Sequence, residues 1–224
     1  SYVYRLLDMP VEALKAAEAS LAQQVTGNAQ EQYVLALMLN GDYPRAEAYV
    51  QAHQLNQSNL LFTVKLQQLS QKILNAVQFY QSSSYRNEGE KAFYPLDAVL
   101  AEMKALSAEL PEQADLQRRF YYEYIDALNQ RNRSKEVLLV AQQLNMNPQE
   151  MPAYVRHAIA DAYLKQQQPA KAEPLYLSLF KEKNSVDYSV YAGLYYAYIE
   201  QEKFKQANQL FQEMDKTLPT FSYS

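Results

Sequence analysis

Residues 162–172 read AYLKQQQPAKA, a short polar turn that leads into a small residue, and this stretch decides the fold. A second copy of this turn, EKFKQA at residues 202–207, also ends in an alanine. Ala172 and Ala207 lie 35 positions apart. Val137 lies 35 positions before Ala172. A fixed period of this length is typical of stacked helix pairs, so the sequence predicts a helical repeat.

Positions at fixed offsets from the small residue predict how the two helices of a pair pack. A residue four positions later lies one turn along the same helix face. The residues four positions after the small residue are Ala141, Tyr176 and Phe211. The residues nine positions before it are Leu128, Tyr163 and Tyr198. The turn NGDYPRA at residues 40–46 places Ala46 in the same role, and Pro219 is expected to close the last unit.

The middle of the chain interrupts the repeat, because Ala46 and Val137 lie 91 positions apart, which is not a multiple of 35. Two amphipathic runs, at residues 58–80 and 94–110, flank a polar loop at residues 81–91 and predict a long helical hairpin. The predicted organisation is N-terminal repeat helices with a truncated first unit, the hairpin insert, and three C-terminal units: 1–57, 58–112 and 113–224.

Composition excludes several classes of function. Lys and Arg number 21 against 25 Asp and Glu, and the net charge of −4 disfavours nucleic acid as a partner. The absence of cysteine and the presence of only two histidines leave little for a metal site or a nucleophilic relay. Four glycines make a phosphate-binding loop or a dinucleotide fingerprint improbable. We therefore expect an all-α, non-catalytic protein without a metal or another cofactor.

Aromatic and acidic residues alternate on the first helices of the C-terminal units, and these residues form a candidate ligand-binding groove. Tyrosine is abundant, with 20 residues, and its ring and hydroxyl suit ligands that are polar but partly apolar, such as sugars. A line of carboxylates beside them suits an extended cationic ligand. The alternative interpretation is that the charged residues are merely solvated and that the histidine makes an ordinary hydrogen bond at the surface. The candidates are Tyr122, Asp126, Tyr154, His157, Asp161, Tyr196 and Glu200.

The repeat pattern resembles the tetratricopeptide repeat (TPR), most closely at Tyr198, Ala207, Phe211 and Pro219. This resemblance implies a right-handed superhelical solenoid, with the hairpin as an enlarged irregular unit. From about residue 85 onward, the order of features, including YYEY at residues 121–124, resembles the periplasmic repeat domain of outer-membrane exporters of poly-N-acetylglucosamine (PNAG).

The exporter resemblance implies a function and a location. It implies a periplasmic domain of a Gram-negative outer-membrane protein that takes part in biofilm formation. Its implied partners are partly de-N-acetylated PNAG, a periplasmic polysaccharide de-N-acetylase and a C-terminal outer-membrane β-barrel porin in the same full-length chain. The alternative is a generic TPR scaffold that binds a peptide or a helix. A peptide ligand favours Asn, Lys and Arg in the groove, whereas an amino sugar favours aromatic and acidic residues.

Overall fold

The computed structural model describes residues 2–55, 57–82, 86–182 and 188–217, so the expected role of Pro219 lies outside the described residues. In these residues there are twelve α-helices and no strand, which confirms the predicted all-α class. No helix in this part of the chain is both long and apolar enough to cross a membrane. The helices are α1 (Tyr2–Leu6), α2 (Pro10–Gln23), α3 (Gly27–Leu39), α4 (Tyr43–Ala52), α5 (Gln57–Gln81), α6 (Tyr94–Leu106), α7 (Ala114–Gln130), α8 (Ser134–Gln143), α9 (Ala153–Lys165), α10 (Pro169–Lys181), α11 (Tyr188–Ile199) and α12 (Phe204–Thr217).

The same turn geometry recurs between helices. One residue of each turn has a positive φ, and the next N–H donates to the carbonyl five residues earlier, as in Gln168 to Tyr163 at 2.9 Å. This pattern matches the Schellman ending of a helix. The positive-φ residues and the buried small residues five positions later are Asp8 and Ala13, Gly41 and Ala46, Asn132 and Val137, Gln167 and Ala172, and Glu202 and Ala207. The 35-residue spacing therefore exists in the backbone, and the superhelical arrangement stays a prediction.

The chain divides into two compact units, Ser1–Phe120 (unit 1) and Tyr121–Ser224 (unit 2), and the division falls within α7. In unit 1 each helix from α2 to α5 packs against the next. Alanines at the contacts, among them Ala17, Ala36 and Ala46, are buried and let neighbouring helices approach. The segment boundaries predicted from the sequence stay a prediction.

The predicted helical hairpin corresponds to α5 and α6, which pack against each other in unit 1. Their bounds agree closely with the two amphipathic runs. The predicted polar loop partly corresponds to a 3-10 segment, Arg86–Phe93, in which Gly89 has a φ of 57°. Residues 83–85 of that loop lie outside the described residues. Two further 3-10 segments are Ser107–Glu109 and Pro148–Glu150.

In unit 2 each helix from α8 to α12 packs against the next, and α9 also contacts α11. The contact between α9 and α11 brings the first helices of two consecutive pairs together, and the solenoid arrangement stays a prediction. Tyr176 of α10 is fully buried and lies against Gly193 of α11. The candidate site residues lie on α7, α9 and α11 and directly after α11.

Candidate functional site

All seven predicted site residues belong to unit 2. Helix α7 carries Tyr122 and Asp126, one turn apart, and α9 carries Tyr154, His157 and Asp161 at the same spacing. Spacings of three and four residues place side chains on one helix face. Tyr196 belongs to α11, and Glu200 directly follows that helix.

Asp161 lies at the centre of a polar cluster that joins α7, α9 and α10. Its Oδ1 accepts a hydrogen bond from the buried Tyr176 hydroxyl, and its Oδ2 accepts from Asn129 Nδ2 at 3.4 Å. His157 Nε2 lies 3.8 Å from Asp161 Oδ1 and 3.2 Å from Ser189 Oγ. We call Asp126, Asn129, His157 and Asp161 the α7–α9 cluster.

Asp126 is the second carboxylate of this cluster. Burial raises the pKa of its carboxyl group, while the Gln130 side-chain hydrogen bond and the nearby His157 lower it to a smaller extent. The Asn129 Oδ1 atom is buried and has no hydrogen-bond partner among the described residues. The polar groups of the cluster that a ligand can reach include the partly exposed carboxylates of Asp126 and Asp161, an arrangement that suits a cation such as an ammonium group.

Because burial disfavours the charged Asp126, Asp126→Asn should stabilise unit 2 at neutral pH. An acid whose folded-state pKa lies above its unfolded-state pKa destabilises the fold at higher pH. This destabilisation is relieved as the pH falls through the raised pKa of the folded state towards 3.8, the ordinary pKa of an aspartate. Urea unfolding of both proteins should therefore show a stability difference at pH 7 that diminishes as the pH approaches 4. A less stable variant at pH 7 would contradict the assignment.

Two tyrosines accompany the cluster one turn earlier on their helices. Tyr154 is 46% exposed, and the partly buried Tyr122 directs its hydroxyl towards Met146 Sδ at 3.7 Å. The exposed part of the Tyr154 ring can contact the apolar face of a ligand held by the carboxylates.

Tyr196 lies in a different environment, an aromatic cavity of about 170 Å³ between α11 and α12. Its ring is 57% exposed and meets Tyr195 edge to face, with ring centroids 6.0 Å apart. The cavity is lined by Tyr188, Tyr191, Ala192, Tyr195, Tyr196, Leu210, Phe211 and Met214. Within the described residues, no hydrogen bond or ion pair joins the Glu200 side chain to the α7–α9 cluster. The structure thus joins His157 and Asp161, with Asp126 close enough to His157 to interact electrostatically, and within the described residues it leaves Tyr196 and Glu200 outside this cluster.

One member of the polar network was not expected from the sequence. The sequence places Tyr176 at a packing position, where it indeed packs, but its hydroxyl also fixes Asp161. Burial, and secondarily the Asp161 carboxylate, hold the pKa of Tyr176 far above its usual value, so its hydroxyl remains a donor. Among the described residues, no three His, Asp or Glu side chains lie close enough to hold a metal ion.

Comparison with known proteins gives two relatives and no matching family model. The relatives are the poly-beta-1,6-N-acetyl-D-glucosamine export proteins of Escherichia coli K12 and Escherichia coli O157:H7, each 29% identical over 143 residues. The match covers 61% of this chain and only 18% of each relative. The chain is therefore similar over most of its length to a small part of these polysaccharide export proteins.

Proposed function

We propose that the chain is a non-catalytic binding domain of an exopolysaccharide exporter and that it guides partly de-N-acetylated PNAG. The observation that carries the proposal is the 29% identity to the two export proteins over 61% of the chain. The proposal includes a location in the cell envelope, with this domain in the periplasm and an outer-membrane β-barrel elsewhere in the full-length chain, as the exporter resemblance implies.

The chemistry of the α7–α9 cluster supports this polymer as the ligand. De-N-acetylation converts a neutral acetamide into an amine, which is protonated at neutral pH. Asp126 and Asp161 supply negative charge, and both residues are partly exposed. Tyr154 supplies an exposed ring for the sugar face. Each contact is weak by itself, so affinity comes from several such contacts along a chain.

The proposal includes docking of a periplasmic polysaccharide de-N-acetylase. An enzyme that releases the amines and a domain that binds them would work in sequence on the same polymer. Titration of the domain, and then of the full-length exporter, with the purified enzyme tests this part separately. The absence of binding by both proteins would contradict docking of the enzyme without affecting the polymer proposal.

The polymer proposal predicts a preference for glucosamine-containing β-1,6 oligomers over fully acetylated ones of equal length. Calorimetric titration should show about fivefold weaker binding of the acetylated oligomer, the size expected for exposed charge contacts. Asp126→Asn should remove most of this preference, and added salt should weaken binding of the amine form because exposed charges are screened.

Glu136→Gln on α8 is the matched control, because it removes one negative charge from unit 2 at a carboxylate that pairs with Arg133. The control should retain the preference of the original chain. Asp161 is less suitable for this test, since its carboxylate also holds Tyr176 in place. Equal binding of the two oligomers by the original chain would refute the proposal.

A further inference from the structure

A cavity of about 500 Å³ in unit 1 combines one arginine with amide and tyrosine side chains. Helices α1, α3 and α5 and the first residue of α4 line it. Its walls are apolar at Leu6, Leu35 and Leu39, and no carboxylate is among its lining residues. The cavity is therefore chemically unlike the acidic α7–α9 cluster of unit 2.

Arg5 is the charged group of this cavity. Its Nη2 donates to Gln32 Oε1 at 2.6 Å, and its guanidinium carbon lies 5.7 Å from the centroid of the Tyr2 ring. Among the residues that the structure describes, its buried Nε has no hydrogen-bond partner and the guanidinium forms no ion pair. The guanidinium therefore has no carboxylate counter-ion among the described residues, and a ligand carboxylate at its partly exposed end would supply one.

Two neighbouring side chains add donors to the same cavity. Gln67 Oε1 accepts a hydrogen bond from Arg119, which leaves the Gln67 amide N–H groups for another acceptor. Tyr43 also lines the cavity, and burial raises the pKa of its hydroxyl, which therefore stays protonated. Arg119 forms no ion pair among the described residues, and it adds a second positive charge near Gln67.

We propose that this cavity binds a carboxylate that a protein partner presents beside an apolar side chain. A carboxylate has two oxygens, and the Arg5 guanidinium and the Gln67 amide can each donate a hydrogen bond to one of them. Tyr2 and Leu6 are largely exposed at the rim, so the cavity opens to solvent and can admit a side chain carried on another protein. The leucine walls accommodate the apolar neighbour of the acidic residue.

The charge requirement can be tested with two probes of nearly equal shape, phenylacetate and phenylacetamide. In a titration of the 15N-labelled chain, phenylacetate should shift the resonances of Arg5 and Gln67. Phenylacetamide should bind roughly tenfold more weakly, because it loses a charge-assisted hydrogen bond. Arg5→Gln should abolish the difference between the probes, while Arg118→Gln, which removes an exposed arginine paired with Asp115, should preserve it.

The source of the carboxylate is tested with the blocked tripeptides acetyl-Phe-Glu-Phe-amide and acetyl-Phe-Gln-Phe-amide. The glutamate peptide should bind more tightly than both its glutamine counterpart and phenylacetate, with the same dependence on Arg5. Inorganic phosphate should cause smaller shifts at the same concentration. Equal affinity for the charged and neutral probes, shifts that Arg5→Gln leaves unchanged, or tighter binding of phosphate would overturn the proposal.

Discussion

Replacement of Gly193 by leucine is expected to destabilise unit 2 by about 3 kcal/mol, although leucine is the better helix former. A Cβ atom at this position would lie 2.3 Å from Tyr176 Cζ and 2.6 Å from the Tyr176 hydroxyl oxygen. Both distances are far below van der Waals contact. A larger side chain cannot be accommodated unless α10 and α11 separate or the tyrosine ring moves.

The ring has little freedom to move, because Tyr176 is fully buried and its hydroxyl is bonded to Asp161. Overpacking at Gly193 should therefore also disturb the α7–α9 cluster. Chemical unfolding followed by circular dichroism measures the stability change. Gly27→Leu is the control, since a Cβ at Gly27 meets nothing within 4 Å, and it should change stability by less than about 1 kcal/mol.

Tyr176→Leu in the Gly193→Leu background should recover part of the lost stability, because the shorter side chain vacates the space of the aromatic ring. Native-like stability of Gly193→Leu alone would show that α10 and α11 do not pack as described. Recovery of stability by the second substitution would instead show that the destabilisation arises at the contact between residues 176 and 193.

The helices and their turns could be predicted from the sequence because they depend on local pattern. Polar turns followed by a small residue recur at a fixed spacing, and the structure has a positive φ at Asn132, Gln167 and Glu202 with the same spacing of 35. The two amphipathic runs likewise end close to the ends of α5 and α6. Hydrophobic periodicity and turn chemistry are sufficient to define these elements.

The polar network could be predicted only in part, because periodicity assigns a helix face and not a partner. The helical spacing places Asp126, His157 and Asp161 on neighbouring faces, and the structure brings them together. The bond from Tyr176 to Asp161 depends on the depth of the tyrosine, which Gly193 sets from a different helix. Phe211, expected at a packing position, is 53% exposed and lines the aromatic cavity.

Phe120→Ala should cost unit 1 about 3 to 5 kcal/mol, the range for deletion of a buried phenylalanine side chain. Phe120 is fully buried, and its ring centroid lies 6.0 Å from that of Phe62 on α5. Removal of the ring leaves a cavity against α5 that the helix backbone cannot fill. Leu74→Ala on α5 is the control, because Leu74 is 50% exposed and truncation of its side chain should cost much less stability.

The substitution also tests to which part of the chain the start of α7 belongs. The sequence pattern assigns residues 113–120 to the C-terminal units, whereas Phe120 contacts Phe62 and Arg119 donates to Gln67, both on α5. If those contacts stabilise unit 1, amide hydrogen exchange in Phe120→Ala should accelerate in α5 and α6 more than in α10 and α11. Faster exchange confined to α10 and α11 would contradict this, since the phenylalanine would then stabilise the C-terminal repeats.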